Sequence, residues 1–140
     1  MITIIIPCLN EKKNINLIKK NLALFNKSKH IIVDGKSRDN SRTIYFKEKL
    51  NFIIVSPSRG LQLKKGAEAS NTKWLFFLHA DTKLNKKNIL EIYNFMSGRN
   101  NFKAGFFKLS YNKKKFLANL ISCWANLRTK LFKLPFGDQG

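Results

Sequence analysis

Acidic side chains are scarce in this chain. Eight Asp and Glu residues stand against 27 Lys and Arg, a formal net charge of +19. One reading is a polyanionic partner: nucleic acid, an anionic membrane surface or phosphorylated substrates. The other is codon bias, because AT-rich codons encode the abundant Lys, Asn, Ile and Phe. The lysines are scattered, apart from Lys113–Lys115. Cysteine is rarer still. Cys8 and Cys123 lie far apart and form no CxxC pair, which argues against a thiolate metal site and fits a reducing compartment. Long apolar runs are missing too. None approaches the roughly 20 residues of a membrane span. The opening "MITIIIPCLNEKK" has no basic n-region and is interrupted by Pro7, so it does not read as a signal peptide. A cytoplasmic protein is expected, reaching the membrane at most from its inner face. There is no repeat of fixed period and no low-complexity tract. No GxGxxG or GxxxxGK[ST] is present, which leaves out the dinucleotide fingerprint and the P-loop. No RNP-like aromatic motif, zinc-ligand set or helix-turn-helix is visible, so no specific nucleic-acid partner is expected.

What is present suits a globular domain. Of 140 residues, 44% are apolar and 12 are Phe, enough for one core, and residues 1–140 are read as a single domain. "ITIIIP" (Ile2–Pro7), "HIIVDG" (His30–Gly35), "FIIVS" (Phe52–Ser56) and "KWLFFLHA" are apolar throughout, as strands are when helices cover both sheet faces. Between them lie helix-like segments. Ile15, Ile18, Leu22 and Phe25 fall at helical spacing. "SRDNSRTIYFKEKL" offers Ser or Asp as a cap. "SRGLQLKKGAEAS" is a short helix, and Ile89, Ile92, Tyr93 and Met96 mark another. "AGFFKLS" (Ala104–Ser110) reads as a fifth strand. The alternation predicts an α/β, Rossmann-like fold with a mostly parallel sheet flanked by helices. Residues 113–134 then form a long amphipathic helix with a basic, aromatic rim. It either docks on the protein or lies on a membrane surface as a peripheral contact.

The few acids are placed unevenly. Glu11, Asp34, Asp39 and Asp81 each follow the carboxyl end of a predicted strand. Ligands of open α/β sheets bind outside those ends, at a topological switch point. Asp39 also suits a helix cap. Asp34 and Asp81 directly follow apolar runs and are harder to explain as turn residues. Carboxylates gathered on one edge suit a hard divalent cation, which prefers oxygen and often bridges to phosphate. Arg59 and Lys64 on the same edge could hold phosphate oxygens, and Gly60 and Gly66 could let backbone approach a ligand. These residues describe a metal-assisted binder of a nucleotide or sugar phosphate.

Six segments carry a resemblance. "IIIPCLNEKKNI" resembles the opening P-x-x-N-E of family 2 glycosyltransferases of the GT-A fold. "IIVDGKSRDNS" is similar to their D-G-x-S-x-D, and "SRGLQLKKGAEAS" to the R-x-x-Q-x-N-x-G-A of one bacterial subgroup. "LFFLHADT" resembles that subgroup's DxD strand, and "AGFFKLS" and "LPFGDQG" its later segments. The resemblance implies an inverting transfer of sugar from a nucleoside diphosphate sugar, UDP-linked, to an unknown hydroxyl acceptor. It places Pro7 and Glu11 beside the base and ribose and Asp34 on the imide edge of a uracil. Arg59 and Gln62 fall in the donor site. Asp81 would hold Mg2+ or Mn2+. His79 stands where DxD has its first acid and is either a second metal ligand or a structural hydrogen-bonding group. Lys64 stands where the subgroup has Asn. The chain stops at Gly140, before the acidic motif that supplies the general base, so Asp138 is the late carboxylate left for that role. The expectation is therefore a donor half with an incomplete acceptor half. The alternative is an inactive or partner-dependent fragment that binds nucleotides or anionic surfaces. A nucleotidyltransferase would show a Gly-rich Arg-Lys signature where this chain has "CLNEKKN".

Overall fold

A computed structural model describes residues 1–98 and 104–105. Met1–Arg99 form one compact unit and Asn100–Gly140 a second; the first is described below. The fifth strand expected from Ala104, beyond its first two residues, lies outside the described residues. So do the amphipathic helix over 113–134 and the segment carrying Asp138.

Strands and helices alternate in the order the apolar runs predict. β1 (Ile2–Cys8) leads through a single 3-10 turn (Lys12–Asn14) into α1 (Ile15–Leu22). β2 (Ser28–Asp34), α2 (Ser41–Lys47), β3 (Phe52–Ile54), α3 (Arg59–Glu68), β4 (Trp74–Phe77) and α4 (Lys86–Ser97) follow. The strands make one parallel sheet in the order β3-β2-β1-β4. The chain therefore moves outward from β1 to β3, then crosses back to place β4 on the other side of β1. The switch point lies between β1 and β4.

Alternation along the strands sends side chains to two cores. Ile4, Ile6, Cys8 and Ile32 pack with Ile15, Ile18, Tyr45 and Ile89 of α1, α2 and α4. Ile5, Ile31 and Val33 face the other way, with Ala67 of α3 against them. Burial on both faces is why β1 carries no polar alternation: Ile4, Ile5 and Ile6 are all fully buried. At α2 the cap differs from expectation. Asn40 occupies the N-cap in a left-handed conformation (φ 64°) and makes no side-chain cap bond. Asp39, one residue earlier, accepts from the Ser41 N–H and hydroxyl instead.

Pro7 decides where the sheet opens. In a parallel strand a residue's N–H and C=O both address one neighbour. The Ile5 carbonyl accepts from the Leu78 N–H, so Ile5 addresses β4, and the next residue to do so is Pro7. Proline has no N–H to give. Pairing of β1 with β4 stops at Ile5 and Phe77, while pairing with β2 runs on to Cys8 and Asp34. The β1–β4 ladder therefore ends short of the β1–β2 ladder at the switch point.

Gly66 serves packing rather than ligand approach, which corrects the sequence-based reading. A Cβ there would lie 2.4 Å from Ile5 Cγ2 and 3.0 Å from Val33 Cγ2. Its absence lets α3 lie close on the sheet. At Gly60, in the first turn of the same helix, an added Cβ meets nothing within 4 Å. Gly66→Ala is therefore expected to destabilise the domain by about 1–3 kcal/mol through overpacking. Gly60→Ala should be neutral or stabilising by up to about 1 kcal/mol from helix propensity. Urea unfolding of the two variants measures both.

Candidate functional site

The loops after β1 and β2 are laced together above the sheet. Asn10, at φ 58°, presents its backbone N–H to Ser37 Oγ at 2.8 Å, and its Oδ1 accepts from the Arg38 N–H at 2.8 Å. The Lys12 N–H donates to Asp39 Oδ2 at 2.8 Å. Burial raises the Asp39 carboxyl's pKa, but hydrogen bonds from Ser41 and Lys12 outweigh it and hold the group below its ordinary value. Asp39 is thus a lace between two loops. Glu11, half-buried, accepts from Asn14 Nδ2 at 2.7 Å and steadies the turn into α1.

Asp34 ends β2 and is fully buried. Its Oδ1 accepts from the Ser37 N–H at 2.7 Å. Its Oδ2 is buried with no hydrogen-bond partner. Such an oxygen carries a desolvation cost until a donor reaches it. Close by, burial pushes the Cys8 thiol up to about 12, with the neighbouring Tyr45 hydroxyl working against it and the Glu11, Asp34 and Asp39 charges adding to it. Burial raises the Tyr45 phenol in the same direction.

α3 joins the strand ends. Ser58 caps it, accepting from the Leu61 N–H. One turn in, Gln62 is buried and donates both amide hydrogens to backbone, to the Cys8 carbonyl at 2.9 Å and the Val33 carbonyl at 2.7 Å. Gln62 therefore ties the ends of β1 and β2 together. Its donors are spent there, which leaves Oε1 for any ligand. Arg59, the first residue of α3, lays its guanidinium against the imidazole of His79, within reach of both ring nitrogens. That contact bridges the switch point.

Asp81 sits in the turn that follows β4, exposed and without an ion pair among the described residues. Asn21 of α1, fully buried, holds this turn. Its Nδ2 donates to the Thr82 carbonyl at 2.6 Å, and its Oδ1 accepts from the Leu84 N–H at 3.0 Å. Sequence reasoning missed Asn10, Ser37 and Asn21. The first two lie inside the quoted motifs; Asn21 looks like any polar residue of an amphipathic helix.

The structure brings Asp34, Gln62, Arg59, His79 and Asp81 to the carboxyl ends of β1, β2 and β4. Lys64 is exposed and pairs with Glu68 at 3.9 Å. The acids do not gather as one cluster: among the described residues no three His, Cys, Asp or Glu side chains converge as a metal site. For a divalent ion the donor set is Asp81. One exposed carboxylate suits a cation that takes its remaining oxygens from phosphates and water. The imidazole of His79 already faces a guanidinium.

Two predictions follow from burial. Gln62→Leu keeps the volume and removes both donors, and should cost about 1–3 kcal/mol, read as a lower urea midpoint at unchanged slope. For Cys8, the unfolded thiol ionises near 9.0 and the folded one near 12, so across that window the unfolded chain holds fewer protons. Stability is full below pH 9.0 and falls above it, by up to about 1.4 kcal/mol per pH unit from this one thiol. The difference in pH slope between wild type and Cys8→Ala measures it.

Solved structures share this architecture. S. aureus TarS 1-349 in complex with UDP superposes at a TM-score of 0.56 and 22% identity, over 68% of this chain and 31% of that one. The same TarS portion without UDP gives 0.57 and 21%, over 68% and 32%. Glucosyl-3-phosphoglycerate synthase from Mycobacterium tuberculosis, with uridine diphosphate, gives 0.63 and 17%, over 95% and 50%. At these identities the likeness is one of fold, and the chain spans between 31% and 50% of each. No curated protein matches the chain in sequence. The ordered motifs have a firmer counterpart, since the sequence profile of glycosyl transferase family 2 matches residues 3–132, and the chain belongs to that family.

Proposed function

We propose that this chain is the donor-binding part of a glycosyltransferase that takes sugar from a nucleoside diphosphate sugar, UDP-linked, and transfers it to a hydroxyl acceptor with inversion. The observation that carries this reading is the first turn of α3. Through Gln62 it holds the ends of β1 and β2, and through Arg59 it reaches the end of β4. Asp34, Arg59 and Asp81 thus stand at the carboxyl end of β2, in the first turn of α3 and after β4, on the one edge where a donor is proposed to bind. Family membership supports this reading, as does the UDP named with two structures of the same fold.

Each residue has a part the geometry allows. Pro7 ends the β1–β4 ladder and opens room for the nucleotide. The buried, unpartnered Oδ2 of Asp34 suits the imide N–H of uracil, whose donation would remove its desolvation cost. Glu11 borders the same loop and suits a ribose hydroxyl. Arg59 suits diphosphate oxygens. Asp81 is the residue that would hold Mg2+ or Mn2+, which when bound neutralises charge on the diphosphate leaving group. Deprotonation of the acceptor hydroxyl needs a general base; Asp138 is proposed for it, and a membrane contact is proposed for residues 113–134. No helix among the described residues is long and apolar enough to cross a membrane.

Calorimetric titration of the purified chain with UDP and CDP tests the reading. UDP is expected to bind, and CDP, which lacks the imide N–H, to bind about tenfold more weakly or worse, a difference of about 1.4 kcal/mol. Asp34→Asn should erase that preference. Absence of UDP binding, or equal binding of UDP and CDP, would overturn it.

A further inference from the structure

At the β3 edge of the sheet, away from the switch point between β1 and β4, the domain holds a cavity of about 320 Å3. That volume is within the range of small-molecule sites. Phe52 and Ile54 of β3 form its apolar side. The rings of Phe52 and Tyr45 pack with centroids 5.5 Å apart, and Ile54 is left 48% exposed. Arg38, from the loop after β2, and Arg42, from α2, form its charged side. Arginine is scarce in this chain, five residues among the 27 basic ones, so a general excess of lysine does not account for two of them at one cavity.

The donors around this cavity are uncommitted. Neither guanidinium joins an ion pair among the described residues. The carboxylate between them in sequence is spent elsewhere, since Asp39 accepts from the Ser41 and Lys12 N–H groups. Ser37 also lines the cavity and is only 2% exposed. Its Oγ accepts from the Asn10 N–H, and its hydroxyl hydrogen meets no acceptor among the described residues. A buried hydroxyl of this kind gains from an acceptor. Two planar forks and one hydroxyl hydrogen match an anion with several oxygens, such as phosphate. The apolar side matches a ring or short hydrocarbon attached to it.

We propose that this cavity is a ligand site separate from the donor site, taking a phosphate monoester with a compact apolar body. Arg38 and Arg42 hold the phosphate, Ser37 donates to it, and Phe52 and Ile54 take the apolar part. None of Asp34, Gln62, Arg59, His79 or Asp81 lines the cavity, so the assignment stands independently of the donor reading. Soluble and lipid phosphates present the same group, and vesicles tell them apart.

Heteronuclear NMR titration with phenyl phosphate and with inorganic phosphate tests the site. Phenyl phosphate is expected to shift the amides of Ser37, Arg42 and Ile54, and to bind about threefold or more tightly than inorganic phosphate. Arg38→Ala and Arg42→Ala should each weaken phenyl phosphate by about fivefold or more. Ile54→Ser should remove the preference over inorganic phosphate. Saturating UDP should leave the shifts in place. Lys86→Ala, which removes the same charge from the exposed start of α4, should change the affinity by less than about twofold. Unchanged thermal midpoints establish that the variants fold. Sedimentation with vesicles of phosphatidylcholine and phosphatidic acid then identifies the source. A greater loss of vesicle binding in Arg42→Ala than in Lys86→Ala assigns the phosphate to lipid, and equal vesicle binding assigns it to a soluble ligand. Absence of phenyl phosphate binding, its displacement by UDP, or an Arg42→Ala loss no greater than that of Lys86→Ala overturns the proposal.

Discussion

Two hydrogen bonds from one buried amide organise the ligand edge of this domain. Gln62 donates to the carbonyls of Cys8 and Val33, at the carboxyl ends of β1 and β2. The Gly35 N–H already ties the two strand ends by donating to the Cys8 carbonyl at 2.8 Å, and the amide adds a tie from α3 to both. Fixing Gln62 also fixes the turn that precedes it. Arg59 stands one helical turn away, which places its guanidinium against His79, after β4. The lack of a Cβ at Gly66 is the other half of the constraint, because α3 must lie close to the sheet for a Gln side chain to reach backbone.

Around that clamp, acids are spent as hydrogen-bond acceptors. Asp39 takes donors from two loops, and Glu11 takes one from the turn into α1. Glu48 and Glu68 pair with lysines on exposed surface, where such pairs contribute little. Asp34 is different. One oxygen is satisfied by Ser37 and the other is buried without a partner. A domain with so few carboxylates keeps one of them, at the carboxyl end of β2, in a state that costs stability. Such local costs accumulate at functional sites, where a bound group removes them.

Much of the fold was legible in the sequence because its signals were strong. Four apolar runs bounded by turn residues became four parallel strands, and their lack of polar alternation reported helices on both faces. The site was legible as a set of strand-end residues, since α/β topology alone brings them to one edge. What the residues do to one another was not. Gln62 read as a ligand contact and is engaged with backbone; Gly66 read as room for a ligand and is room for a helix. Both depend on how closely α3 approaches the sheet, a tertiary distance that no local pattern encodes. Asn21 escaped notice for the same reason: its partners, Thr82 and Leu84, lie more than 60 positions away.

The histidine in "LFFLHADT" shows how one substitution is absorbed by its surroundings. Replacing a carboxylate with imidazole removes a negative charge, and in isolation that weakens any divalent site. Arg59, one helix away, faces that ring. Had the position kept its carboxylate, the guanidinium would form an ion pair there and be neutralised. With an imidazole the contact is a hydrogen bond in place of an ion pair. A net charge of +19 acts in the same direction, since it raises the local concentration of phosphorylated ligands before any contact forms. Charge steers the ligand, and α3 places the guanidinium against the imidazole that stands in the carboxylate's position.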